Sequence, residues 1–284
     1  MPTDYTLRRA EKIDHSELYT LLNDDTSRQH RHLDWHSPFD WLGFQPFWLL
    51  IKNQHIAAAM ACPADPPGIV WVRLFAISAH LRPLPTWNIL FQKVIEDYDF
   101  NESMIFASIA LQKWYSDLLL EAGYHLHQHI VVLCWAGDQP ARPDPSPLII
   151  RPMRVEDLPR VRYIDQLSFE PIWQNSLDVI TRSFKQSNYP MVAELNGEIL
   201  GFQISSYSFD SAHLSRLAVL PGQQRHGIGR SLVNDLVYHF MNDLEIHRIT
   251  VNTQSDNHSS LTLYEHMGFQ LNGERFPVYT LNPK

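Results

Sequence analysis

Residues 221 to 232 read PGQQRHGIGRSL, a run whose residue types suit the binding of a small polyanion. Directly downstream, Ile228, Leu232, Val233, Leu236, Val237 and Phe240 recur with a helical period, so the run is the entrance to an amphipathic helix. Upstream, HLSRLAVL alternates and is rich in aliphatic residues, which reads as a strand. A helix entered through a glycine loop aims free backbone N–H groups at one spot, where the macrodipole favours negative charge. Gly227 and Gly229 let backbone approach a phosphate without Cβ interference, and N–H groups from about Gln224 through Arg225, His226 and Ile228 to Arg230 are the expected donors, with Ser231 a further expected binding residue. Arg225 and Arg230 either add attraction for the anion or are surface arginines without a role. A second group, His30, His32 and His36 in HRHLDWH, has the residue types of metal ligands. No cysteine or second spaced set accompanies it, and the expectation is a surface loop with no metal.

The composition narrows the classes of function. A chain of 284 residues, 44% hydrophobic and 19% charged, is a globular protein of one large or two ordinary domains. No apolar run approaches a membrane span, and MPTDYTLRRAEKID lacks the order of a signal peptide, so a cytoplasmic protein without membrane association is expected. Cys62 and Cys134 lack ligand spacing and read as ordinary thiols of a reducing compartment. A net charge of −8 argues against nucleic acid as a partner.

The segment AGDQPARPDPSP, residues 136–147, is crowded with proline and small polar residues and reads as a linker between residues 1–135 and 148–284. The two pieces match in three ordered places. Leu7-Arg8-Arg9-Ala10 aligns with Ile150-Arg151-Pro152-Met153, with Asp14 opposite Asp157. Arg73-Leu74 aligns with Arg216-Leu217, and Gly123-Tyr124 with Gly268-Phe269. Duplication and convergent βα patterning both produce such matches, and the order of three anchors favours duplication. In this register Leu81, Leu84 and Thr86 stand where the second half has Gln224, Gly227 and Gly229, so the first half has lost the glycine loop. The second half reads as helices near 156–167 and 176–186, a strand MVAEL, an Asn196-Gly197 hairpin turn and a strand EILGFQISSY. A strand at 213–220, a helix at 227–241, a strand RITVNT, a helix at 258–267 and a final strand pair around 269–281 follow, all in one mixed sheet.

Gln224-Arg225-His226-Gly227-Ile228-Gly229 resembles the Q/R-x-x-G-x-G/A signature of the GCN5-related N-acetyltransferases. Further on, the stretch from Asn257 through Leu263-Tyr264 to Gly268-Phe269 resembles the second signature of that superfamily. The resemblance covers residues 148–284 well and 1–135 in outline, so the chain looks like a tandem form with a degenerate N-terminal copy. It implies an α/β fold of two mixed sheets, each splayed between two central strands and flanked by helices. Acetyl-CoA would lie in the opening of the second, against Leu217, Val219, the glycine loop and Asn257. A backbone N–H near Val219, beside a bulge in that strand, would meet the oxyanion, and Tyr264 would be the general acid.

Many members carry a glutamate on the strand before the loop, whereas DSAHLSRLAVLP holds no carboxylate after Asp210. His213, Glu170 and direct entry of a neutral amine are the alternatives for the base. Phe169, Trp173, Phe276 and Tyr279 are candidate walls of the acceptor site. The resulting expectation is transfer of an acetyl group to a primary amine, on a small molecule or a peptide, by a monomer with pseudo-dimeric halves or a homodimer. The alternatives are a protein that senses acyl-CoA without transfer, and a scaffold that binds no nucleotide.

Overall fold

The computed structural model describes residues 5–98, 104–137 and 147–282; most of the expected linker, residues 138–146, lies outside them. The chain forms two compact units, Met1–His127 with Phe276–Lys284, and Gln128–Arg275. Among the described residues no helix is long and apolar enough to cross a membrane.

The first unit runs β1 (Tyr5–Arg9), α1 (His15–Leu22), β2 (Arg28–Arg31), β3 (Phe47–Lys52), β4 (His55–Ala61), β5 (Ile69–Trp71), β6 (Leu74–Ile77), α2 (Pro83–Glu96), β7 (Ile105–Ile109), α3 (Lys113–Glu121) and the start of β8 (His125–Trp135). The second continues with β9 (Ile149–Pro152), α4 (Leu158–Ser168), α5 (Leu177–Gln186), β10 (Tyr189–Leu195), β11 (Glu198–Ser208), β12 (Ser211–Val219), α6 (Ile228–Tyr238), β13 (Arg248–Gln254), α7 (His258–His266) and β14 (Phe269–Leu281). Local chemistry sets these bounds. Ser176 caps α5 by accepting from the Val179 N–H at 3.2 Å, and Asn196 and Gly197, both at positive φ, turn β10 into β11.

The units divide inside β8 and β14, not at the proline-rich segment. Residues 130–134 of β8 pair antiparallel with β13, and residues 278–281 of β14 pair antiparallel with β7. The expected strand pair at 269–281 is therefore a single strand, because its last residues find their ladder on β7 rather than folding back. Both units open on the same ion pair. Arg8 grips Asp14 at 2.7 and 2.5 Å, Arg151 grips Asp157 at 2.7 and 3.0 Å, and in each case the aspartate also accepts the backbone N–H three residues before it.

The decisive feature of the second unit is where β12 loses a partner. Along one edge it follows β11 from Ser211 to Val219, with a register shift that leaves Ser215 unmatched. Along the other it pairs in parallel with β13 only from Ser211 to Leu214. Beyond Leu214 the two strands diverge. The bulge thus lies at Ser215, four residues before the expected position near Val219, because it is there that the strand must bend away. Arg216, just past the bulge, holds the bend against α4. Its Nε donates to Asp165 Oδ2 at 2.7 Å and its Nη2 to the Trp173 carbonyl at 2.6 Å, while the guanidinium lies 3.5 Å from the centre of the Phe169 ring. Asp165 is fully buried, and its other oxygen accepts the Asn175 N–H at 2.8 Å.

The first unit repeats the arginine and closes the opening. Arg73 donates to Asp34 at 2.8 Å and to the Asp65 carbonyl at 2.8 Å. β5 pairs in parallel with β7, β6 pairs with β4, and the far edge of β6 is taken by β2, Arg28–Arg31 against Leu74–Ile77. His30 of β2 is consequently buried rather than on a surface loop. It stacks on Tyr115 with centroids 4.0 Å apart, and its Nε2–H donates to the Val72 carbonyl at 3.1 Å. His36 is buried as well.

Two predictions follow from these buried charges and rings. Arg216→Met leaves the Asp165 carboxylate uncompensated and should cost about 3–5 kcal/mol in urea unfolding, most of it recovered by Arg216→Met with Asp165→Leu. Burial holds His30 down to about 3, against 6.5 when unfolded. Its contribution to stability is complete above about pH 6.5 and declines as pH falls toward 3, by about 1.4 kcal/mol per pH unit. His30→Gln should remove that share of the acid sensitivity of the first unit, read as urea midpoints at about pH 7 and about pH 5.

Candidate active site

Divergence of β12 leaves its backbone with unpaired groups. The Leu220 N–H donates to the Leu200 carbonyl at 2.8 Å, so alternation along the ladder turns Ala218 toward β11 and Leu217 and Val219 away from it. The N–H groups of Leu217 and Val219 therefore face the opening. The Val219 carbonyl on the same side already accepts from the Ser168 hydroxyl and the Gln224 side-chain amide, each at 3.1 Å.

The loop that follows is shaped to present more donors. Gly227 caps α6 at φ +84 and Arg225 precedes it at φ +62, conformations that turn the chain sharply before the helix begins. Among the described residues, no backbone carbonyl outside the helix accepts from the N–H groups of 225 to 230, whereas Ser231 already donates to Gly227 at 2.9 Å. Gly229 has a packing reason for its small size: a Cβ there would lie 3.3 Å from Leu263 and 3.7 Å from Val219.

These parts surround one cleft of about 810 Å³. Of the residues read from the sequence, Leu217, Val219, Gln224, Arg225, Gly227, Gly229, Arg230 and Asn257 line it. Asn257 does so while its side chain caps α7, accepting the Ser260 N–H at 3.1 Å. Others lie elsewhere. Ile228 is 4% exposed in an apolar cluster with Ala193, Leu200 and Leu232; His226 is exposed, and Ser231 sits behind the loop. The far wall comes from α7, where Ser259, Thr262, Leu263 and His266 line the cleft. These were missed because a short helix with a mixed face gives no periodic sign of which side is lined. His266 donates its Nδ1–H to the Thr262 carbonyl at 2.8 Å.

Tyr264 is not among the lining residues. It is 4% exposed, its ring 5.8 Å from that of Phe269, and burial raises its phenol above the ordinary value. His213 lies on the part of β12 that still pairs with β13, its Nδ1 2.9 Å from the Thr250 hydroxyl, and burial lowers its pKa. Among the described residues no carboxylate lines the cleft. Glu170 is exposed at the turn after α4. Phe169 lines the cleft, whereas the Trp173 indole donates to the Gln128 amide, which in that orientation donates to Asp256 at 3.2 Å. Tyr279 packs in the core of the first unit with its hydroxyl on Ser116, and Phe276 also belongs to that unit. Neither is a wall of this cleft.

Residues 157–269 match the family described as "Acetyltransferase (GNAT) family". Over 123 residues, 42% of this chain and 79% of the relative, the sequence is 27% identical to the ribosomal protein bS18-alanine N-acetyltransferase of Escherichia coli strain K12. Two solved structures share the fold across the whole length. A GCN5-related N-acetyltransferase from Sphaerobacter thermophilus has a TM-score of 0.62 at 15% identity, covering 100% of this chain and 98% of its own. A tandem GNAT protein from the clavulanic acid biosynthesis pathway has a TM-score of 0.66 at 12% identity, covering 99% and 100%. With the splayed β12, the glycine loop and the match over 157–269, the second unit carries a domain that matches the acetyltransferase (GNAT) family, and the fold of the whole chain is similar to that of a tandem GNAT protein.

Proposed function

We propose that the second unit transfers an acetyl group from acetyl-CoA to a primary amine. The observation that carries this reading is the pair of inward-facing N–H groups on Leu217 and Val219 beside the donor-rich loop of 225 to 230. The residues fit such a ligand. Loop N–H groups and the entrance of α6 suit a pyrophosphate, Arg225 and Arg230 flank it, and a cleft of about 810 Å³ has room for the rest. Bound acetyl-CoA supplies a thioester carbonyl that an amine attacks, with the carbon–sulfur bond breaking and the thiolate taking up a proton.

The chain's own groups then have distinct tasks. The Val219 N–H stabilises charge on the carbonyl oxygen, and the Leu217 N–H aligns the extended arm of the ligand along β12. Tyr264, kept protonated by its burial, is the candidate donor to the leaving sulfur; transfer from a phenol to a thiolate whose acid is about 8.5 is uphill, and more so as burial raises the phenol, so this role requires a hydrogen bond that forms as the sulfur departs. The amine proton leaves to water or to His213, which burial keeps neutral at pH 7. The Escherichia coli relative is named for an alanine of a ribosomal protein, which supports the amine of a peptide N-terminus as one acceptor class beside small amines.

The absence of a lining carboxylate and the position of Tyr264 off the cleft wall favour a second reading, in which acyl-CoA is bound and no group is transferred. Calorimetry and release of free thiol against a panel of amines and peptides distinguish the two. Acetyl-CoA should bind once per chain, Gly229→Glu should abolish binding, and Tyr264→Phe should keep binding while lowering turnover by about 100-fold. Binding without thiol release from any acceptor supports the second reading. Unchanged turnover in Tyr264→Phe removes that residue as the acid.

A further inference from the structure

The first unit contains a cavity of its own, about 420 Å³, at the start of α2 beside β1 and β3. Leu7, Leu50, Pro85 and Ile89 contribute to its apolar wall. In the register that aligns Arg73 with Arg216, these four correspond to Ile150, Ala193, Ile228 and Leu232 of the second unit, which close into one apolar cluster. Leu7, Leu50 and Ile89 likewise pack on the core of the first unit, and the cavity opens beside them. The cavity opens to solvent past His80, Arg82 and Pro85, and what it could hold is set by the side chains that line it.

Three polar side chains answer. Thr86 is only 3% exposed and lines the cavity. Arg82, the extended residue that precedes α2, also lines the cavity and is exposed at its rim with His80. No carboxylate lines the cavity, and Lys52 adds a further positive charge 5.1 Å from the ring of Tyr5, another lining residue. The helix end itself is a poor phosphate cradle. Pro83 and Pro85 have no N–H, and that of Thr86 is bonded to the Arg82 carbonyl at 3.2 Å. A pyrophosphate is therefore disfavoured, and a single anionic head gripped by side chains is favoured.

We infer that the first unit binds a small amphipathic monocarboxylate in this cavity, its apolar body among Leu7, Leu50 and Ile89, and its carboxylate held by the Arg82 guanidinium and the Thr86 hydroxyl. This site is separate from the second-unit cleft in residues and in ligand chemistry. Octanoate is the probe, with octylamine as the control of equal apolar length, both titrated into the full chain by calorimetry and followed by melting temperature.

Octanoate should saturate one site per chain and octylamine should not. Arg82→Glu should weaken octanoate at least about tenfold and Thr86→Val measurably, as expected for loss of a charge-assisted hydrogen bond and of its neutral companion. Gly229→Glu and saturating CoA should leave octanoate binding unchanged. The inference is overturned by no saturable octanoate binding in either assay, by equal binding of octylamine, by an unaltered affinity in Arg82→Glu, or by competition with CoA, which would place octanoate in the second-unit cleft.

Discussion

The second unit is organised by one constraint: β12 must leave β13 after Leu214 while staying bonded to β11. Backbone groups that leave a ladder inside a protein are costly unless something takes them up. The fold takes up the Val219 carbonyl with Ser168 and Gln224, and holds the bend with a buried arginine that reaches α4. Burial dominates the balance of that ion pair, raising the Asp165 carboxyl and lowering the Arg216 guanidinium pKa even at 2.7 Å separation. The pair is better understood as fixing the position of α4 than as a net source of stability. The N–H groups of Leu217 and Val219, which alternation turns away from β11, are what a ligand in the cleft would find.

The first unit shows the same strand with the constraint relaxed. β6 has partners on both edges, so no backbone donors remain facing an opening, and the helix that follows begins with two prolines in place of a glycine loop. The absence of a glycine loop and the presence of β2 beside β6 are consistent with each other. A strand in the opening removes the need for a phosphate loop beside it.

Much of the second unit was legible because its signals are local. Asn196-Gly197 prescribes a hairpin by its two positive φ values, Gly227 marks the turn into α6, and the apolar stripe from Ile228 to Phe240 fixes which face is buried. The exchange of β8 and β14 was not legible. A strand pattern says which residues alternate, but nothing in HQHIVVLCW names the distant edge it will join. For the same reason the histidines around residue 30 looked like a surface cluster. Only the pairing of β2 with β6 buries His30, and that pairing has no sequence period of its own. Tyr264 was identified by its motif, yet its burial depends on the packing of Phe269, five residues on and in the next element.

The placement of the last strand bears on the order in which the protein can be made. The edge of β7, residues 105–109, is matched by residues 278–281, which a ribosome adds only after the whole second unit has been synthesised. Until then β7 presents an open edge, the kind of surface that pairs with other chains during synthesis. Residues 130–134, by contrast, are already available when β13 emerges. The later-made unit can therefore be completed as it is translated, while the earlier-made one waits for residues 278–281.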